Sequence, residues 1–113
     1  GDHQWIHVDV ERAKAGPFGA PIAHGFLTLS LIPHFFESSM EIRGTRMGVN
    51  YGLNRVRFTA PVPVGSRLRA TMKLQECLPL ADNGMQMTWL VTVQREGSDK
   101  PACVAESISR RYA

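Results

Sequence analysis

From Pro21 to Met40 the chain has almost no polar stripe. Phe26, Leu27, Leu29, Leu31, Ile32, Phe35, Phe36 and Met40 are spread around every side of a helix drawn through this stretch. A helix apolar all round must be covered all round, so the stretch predicts a buried central helix. Pro21 and Gly25 mark its entrance, and Glu37-Ser38-Ser39 begins a polar exit. Pro33 withdraws the hydrogen bond to Leu29 and is expected to bend the rod. Fully helical, it would be roughly 30 Å long at about 1.5 Å per residue, the width of a small domain.

What precedes this stretch reads as polar loop, with one short helical candidate from Asp9 to Ala15 and Asp9 as its N-cap. Gly16 to Pro21, with its glycines and prolines, is expected to be irregular. After Gly44 the period changes. Val49, Tyr51 and Leu53 alternate, then Val56 and Phe58 alternate in the opposite phase, which a bulge near Gly52–Asn54 would reconcile. Pro61 to Ser66 is a turn or edge connection. Leu68, Ala70, Met72 and Leu74 then form one face of a strand. Asp82-Asn83-Gly84 is a hairpin turn into a strand with Met85, Met87, Trp89, Val91 and Val93 inward. Glu96 to Asp99 turns again, and Pro101 to Tyr112 supplies a last strand with Ala102, Val104 and Ile108 on one face. One helix followed by a meander of strands is α+β with an antiparallel sheet, and a curved sheet gripping the helix would bury both apolar surfaces.

The chain of 113 residues is the size of one domain, spanning 1–113. Its longest apolar run is interrupted by Thr28, Ser30, Pro33 and His34, so no membrane span is expected. No secretory leader is legible, and Cys77 and Cys103 lack metal-type spacing. Buried free thiols and a cytoplasmic location are expected. The net charge of +3 comes from scattered Arg and Lys, which suit a phosphate-bearing coenzyme better than nucleic acid.

Asp2-His3-Gln4-Trp5-Ile6-His7 sets a carboxylate five positions before an imidazole. Such a pair can activate a water and deliver a proton. On spacing alone, a capping role for Asp2 and a hydrogen-bonded surface role for His7 is the simpler reading. Metal ligation by His3, His7 and His24 is chemically allowed, but the Glu of an HExxH helix is missing and no metal is expected. Gly25, opening the helix, either presents a free N–H to a substrate oxyanion or lets the chain pack closely. His24 reads as loop-fixing, and Trp5 as packing or a pocket wall.

Gly1-Asp2-His3-Gln4-Trp5-Ile6-His7-Val8-Asp9, then Gly16-Pro17-Phe18 and Ile22-Ala23-His24-Gly25-Phe26, resembles the hydratase motif of the MaoC-like (R)-specific enoyl-CoA hydratases. Phe58 to Gly65 resembles the strand and turn common to hot-dog proteins. The resemblance implies a hot-dog fold, a curved antiparallel sheet wrapped around one long buried helix, here lacking the family's N-terminal strand and helix. It implies that Asp2 and His7 hold and activate water and that the Gly25 N–H binds the thioester carbonyl. Gln4, Trp5 and His24 would support the loop or pocket. Water would add to trans-2-enoyl-CoA to give (R)-3-hydroxyacyl-CoA, in a homodimer and with no cofactor beyond the coenzyme A of the substrate. A thioesterase on the same fold, or a non-catalytic acyl-CoA-binding or assembly subunit, is the alternative. Gln4 and Trp5 stand where the common motif has Asn and Pro, and Pro33 falls where some members carry a serine.

Overall fold

The computed structural model describes residues 1–113. Four short helices, α1 (Trp5–Val8), α2 (Val10–Lys14), α3 (Gly25–Ser30) and α4 (Ile32–Ser39), precede four long strands. These are β1 (Met47–Phe58), β2 (Leu68–Leu80), β3 (Gly84–Arg95) and β4 (Pro101–Tyr112). They form one antiparallel sheet in the order β1-β4-β3-β2, so residues 59–67 carry the chain from one sheet edge to the other. The α+β hot-dog architecture expected from the sequence is present.

Local chemistry explains the joints. Asp9 caps α2, its carboxylate accepting the Arg12 N–H at 3.1 Å. Asp82 and Asn83 take φ of 60° and 56°, and the Gly84 N–H closes their turn onto the Ala81 carbonyl. Two residues with positive φ match the right-handed twist of a hairpin, and Asn and Asp tolerate that region best after glycine. In β1 the register shifts twice, between Asn50 and Gly52 and between Leu53 and Arg55. The bulging therefore starts earlier than the alternation suggests, and Tyr51 emerges on the outer face, 3.5 Å below the Arg110 guanidinium.

The core sits between the inner face of the sheet and the two central helices. Ile32, Val91, Val93, Cys103 and Ala105 form its buried centre, with Leu29, Phe35, Phe36, Val56, Ala70 and Met72 packed around it. Phe36 meets Trp89 edge to face, 5.2 Å between centroids.

Four expectations are corrected. The central helix is two short segments hinged at Leu31, because Pro33 occupies the first turn of α4, where no N–H is required. Nor is it covered all round, since Phe26 is 78% exposed and Leu27 53%. The inward row of β4 is Cys103 and Ala105, not Ala102, Val104 and Ile108. Pairing opposite Val93 and Val91 sets that parity, and a one-residue slip would turn every side chain over. Finally Cys77 is exposed while Cys103 is buried; both are free thiols. Burial raises the Cys103 pKa.

The strands outrun the helices. The radius of gyration is 16.6 Å, against about 13 Å for a compact chain of similar length. Inward-facing Leu74 and Met85 stay partly open toward the β2–β3 turn. No helix is long and apolar enough to cross a membrane.

Candidate active site

The segment 21–23 builds the site by bridging two parts of the chain. The Ile22 N–H donates to the Ile6 carbonyl of α1 at 2.9 Å, and the Ala23 N–H to the Val62 carbonyl at 2.7 Å. The Val64 N–H returns a bond to the Pro21 carbonyl at 2.9 Å. Ile22, bridged to Pro63, is thereby fixed, and its own carbonyl is left pointing at His7. The β1–β2 connection thus anchors the reactive loop.

The Nδ1 of His7 lies 2.8 Å from the Ile22 carbonyl. A carbonyl only accepts, so Nδ1 carries the proton, and in the neutral ring Nε2 keeps its lone pair. That Nε2 lies 3.9 Å from Asp2 Oδ2. The separation is too long for a direct hydrogen bond. A water placed about 2.8 Å from each atom would span it, at an angle of roughly 90°. Both groups accept, so such a water would donate both protons inward and turn its oxygen lone pairs to the open side.

Asp2 is half exposed, whereas only 10% of the His7 side chain is. The Gln4 N–H donates to Asp2 Oδ1 at 3.1 Å. That bond, aided by the positive character of His24 and His7 and opposed by desolvation, holds the Asp2 pKa below the ordinary value. His24 presents Nε2–H to the Asp2 main-chain carbonyl at 2.8 Å. Its ring stacks on His7 with centroids 3.9 Å apart and planes 25° from parallel. One imidazole therefore ties the loop backbone and backs the face of the other.

Gly25 opens α3, and its N–H donates to no carbonyl of the chain. A Cβ at this position would lie 2.8 Å from the Phe58 ring, so only glycine permits the approach of α3 to β1. The close packing expected of Gly25 is present, and its N–H is left free. Asp2, His3, His7, His24 and Gly25 line one cavity of about 620 Å³.

Asp2, His7, His24 and Gly25 are thus brought together. Gln4 contributes through its main chain, donating to Asp2 and accepting the His7 N–H. Trp5 supports the loop and stands away from the cavity: it fills the space over Gly16 and lies under the Arg12 guanidinium, 4.5 Å from its centroid. Asp2, rather than His3, joins His7 and His24 in a cluster with ligand atoms within 4.8 Å. Each ring already has one nitrogen on a main-chain carbonyl, which leaves one nitrogen of each free. The Ile22 carbonyl was missed, because a main-chain acceptor leaves no side-chain signature. Its only signal was the extended Pro21-Ile22-Ala23 preceding His24.

Residues 1–96 match the model of the MaoC like domain. The whole chain is 58% identical to a 3-hydroxyacyl-thioester dehydratase of Mycobacterium tuberculosis, covering 75% of that protein. Over 96% of the chain and 68% of the relative it is 49% identical to nodulation protein N of Rhizobium leguminosarum bv. viciae. Among solved structures, an R-hydratase from Pseudomonas aeruginosa in its unliganded form superposes with a TM-score of 0.74 at 26% identity, over 99% of this chain and 66% of that one.

Proposed function

The chain belongs to the MaoC-like domain family, and from that premise we propose that it hydrates trans-2-enoyl-CoA to (R)-3-hydroxyacyl-CoA and catalyses the reverse dehydration. The supporting relatives are the dehydratase of 3-hydroxyacyl thioesters and the R-hydratase. The observation that carries the mechanism is the tautomer of His7. Its Nδ1–H is spent on Ile22, so a basic Nε2 faces the ionised Asp2 across a gap suited to water.

In the hydration direction the thioester carbonyl accepts the Gly25 N–H, which stabilises the enolate oxygen as negative charge develops there. The water bound by Asp2 and His7 attacks the β-carbon and gives a proton to the pair. The pair returns a proton to the α-carbon, so no proton is gained or lost over the cycle. Asp2 and His7 share the role of base. His24 and Gln4 position Asp2, and Trp5 holds the loop behind them. No electron transfer is involved, and the proposed chemistry uses no cofactor besides the substrate's coenzyme A.

A homodimer is part of this proposal. β1 is a sheet edge whose Met47, Val49 and Tyr51 are exposed, and an unpaired apolar edge calls for a partner strand.

The test is the loss of conjugated-thioester absorbance with crotonyl-CoA, with the chirality of the product determined. Turnover to the (R)-alcohol is expected, falling by about 10²- to 10⁴-fold in Asp2→Asn and in His7→Gln. Release of free coenzyme A would identify a thioesterase instead. Binding without turnover would identify a binding subunit.

A further inference from the structure

A water held between Asp2 and His7 attacks a carbon that approaches from its open side. The β-carbon therefore belongs in the cavity of about 620 Å³ where Asp2, His7 and Gly25 stand together. The polar lining of this cavity comes from the reactive loop and His24. Its apolar lining is Val8, Phe26 and Leu27. Val8 directly follows His7 and Phe26 directly follows Gly25, so apolar surface begins where the reactive groups end.

All three side chains are more than half exposed, Phe26 most of all at 78%. The inward positions of α3 belong instead to Thr28, which is buried, and to Leu29, which packs on the core. Phe26 thus adds nothing to the core, yet its ring is held in place. It meets Phe58 edge to face, with centroids 5.8 Å apart and planes at 68°. Phe58 is itself fixed where it fills the space over Gly25. An oriented aromatic ring with most of its surface in water, on the wall of a reactive cavity, is a ready contact for an apolar ligand.

We propose that Phe26, with Val8 and Leu27 beside it, receives the acyl tail, and that the protein prefers medium-chain to short-chain enoyl thioesters. The proposal rests on the hydratase reading above and names the substrate class of that same site. With the thioester carbonyl on the Gly25 N–H and the β-carbon before the Asp2–His7 water, the next carbons have these three side chains as their apolar neighbours. A crotonyl group ends one carbon beyond the β-carbon and leaves the ring uncovered. An octenoyl group has four more carbons to lay over it. The pantetheine arm, with its two amides, leaves from the sulfur on the other side of the carbonyl.

The experiment compares crotonyl-CoA with trans-2-octenoyl-CoA in the unaltered protein, in Phe26→Ala and in Phe26→Leu. A fully covered methylene is worth a factor of about four, so four half-covered ones give a kcat/KM about tenfold in favour of octenoyl-CoA. In Phe26→Ala that ratio should fall to about threefold or less, while Phe26→Leu, still apolar, should keep most of it. Since Phe26 lies outside the core, both variants should keep the Tm of the unaltered protein. Equal use of the two substrates by the unaltered protein would overturn the proposal and leave the hydratase reading intact. An equal loss on both substrates in Phe26→Ala would overturn the assignment to the tail and point to the pantetheine arm. Altered sedimentation of Phe26→Ala would also overturn it, because a second copy of the chain would then be what covers the ring. Turnover of neither substrate would overturn the hydratase reading and this proposal together.

Discussion

At the scale of single residues, the site depends on which atoms are already committed. His7 and His24 each give one ring nitrogen to a main-chain carbonyl, and that commitment defines what remains for chemistry. Asp2 is committed differently, through the Gln4 N–H, which with the nearby histidines depresses its pKa. A carboxyl with a lowered folded pKa contributes what its ionised form contributes above the unfolded value, and loses it as pH falls through the folded one. An NMR titration of the Asp2 carboxyl should therefore have its midpoint below 3.8, the ordinary value. In His24→Phe, which keeps a ring against His7 but removes the bond to the Asp2 carbonyl, the midpoint should move upward. An unchanged midpoint would show that His24 does not act on Asp2. The residue types Asp2, His7, His24 and Gly25 were all legible in the linear motif. The Ile22 carbonyl was not, because every residue except its neighbours in space gives it the same appearance.

At the scale of elements, the contact of α3 with β1 places the Gly25 N–H. Phe58 occupies the space a side chain on Gly25 would need, 2.8 Å from the missing Cβ. Gly25→Ala should push α3 off the strand and lower kcat/KM by about tenfold or more, a small displacement having a large effect on a positioned donor. Phe58→Leu added to that variant should recover part of the loss; no recovery would separate the two residues. The turns and the bulged strand were foreseeable, since Asp82-Asn83-Gly84 and the phase change across Gly52 are local chemistry. The face of β4 was not. Its own row of Ala102, Val104 and Ile108 is a weak pattern, and the stronger row of Val91 and Val93 on β3 overrode it through pairing. The division of the central helix at Leu31 likewise depended on which side of Pro33 the chain chose to bend.

At the scale of the whole molecule, one protomer leaves much apolar surface uncovered: Phe26, Met47, Val49, Tyr51 and Val64 are all exposed. The proposed dimer would pair the β1 edges. The protein should sediment as a dimer, and Val49→Lys, which puts a charge into that edge, should shift it toward monomer; a monomer throughout would remove the pairing. By itself the sequence determined the order of elements, the β2-β3-β4 meander, the reactive loop and the identity of its side chains, because turn chemistry, hydrophobic period and short motifs act over a few residues; the expected meander of all four strands is not formed, since β1 crosses to pair with β4. Only the tertiary structure decided the pairing of β1 with β4, strand parity, the exposed sides of the central helix and the tautomer of His7. Each of these depends on a partner distant in the chain, and no local pattern records what will stand on the other side of a contact.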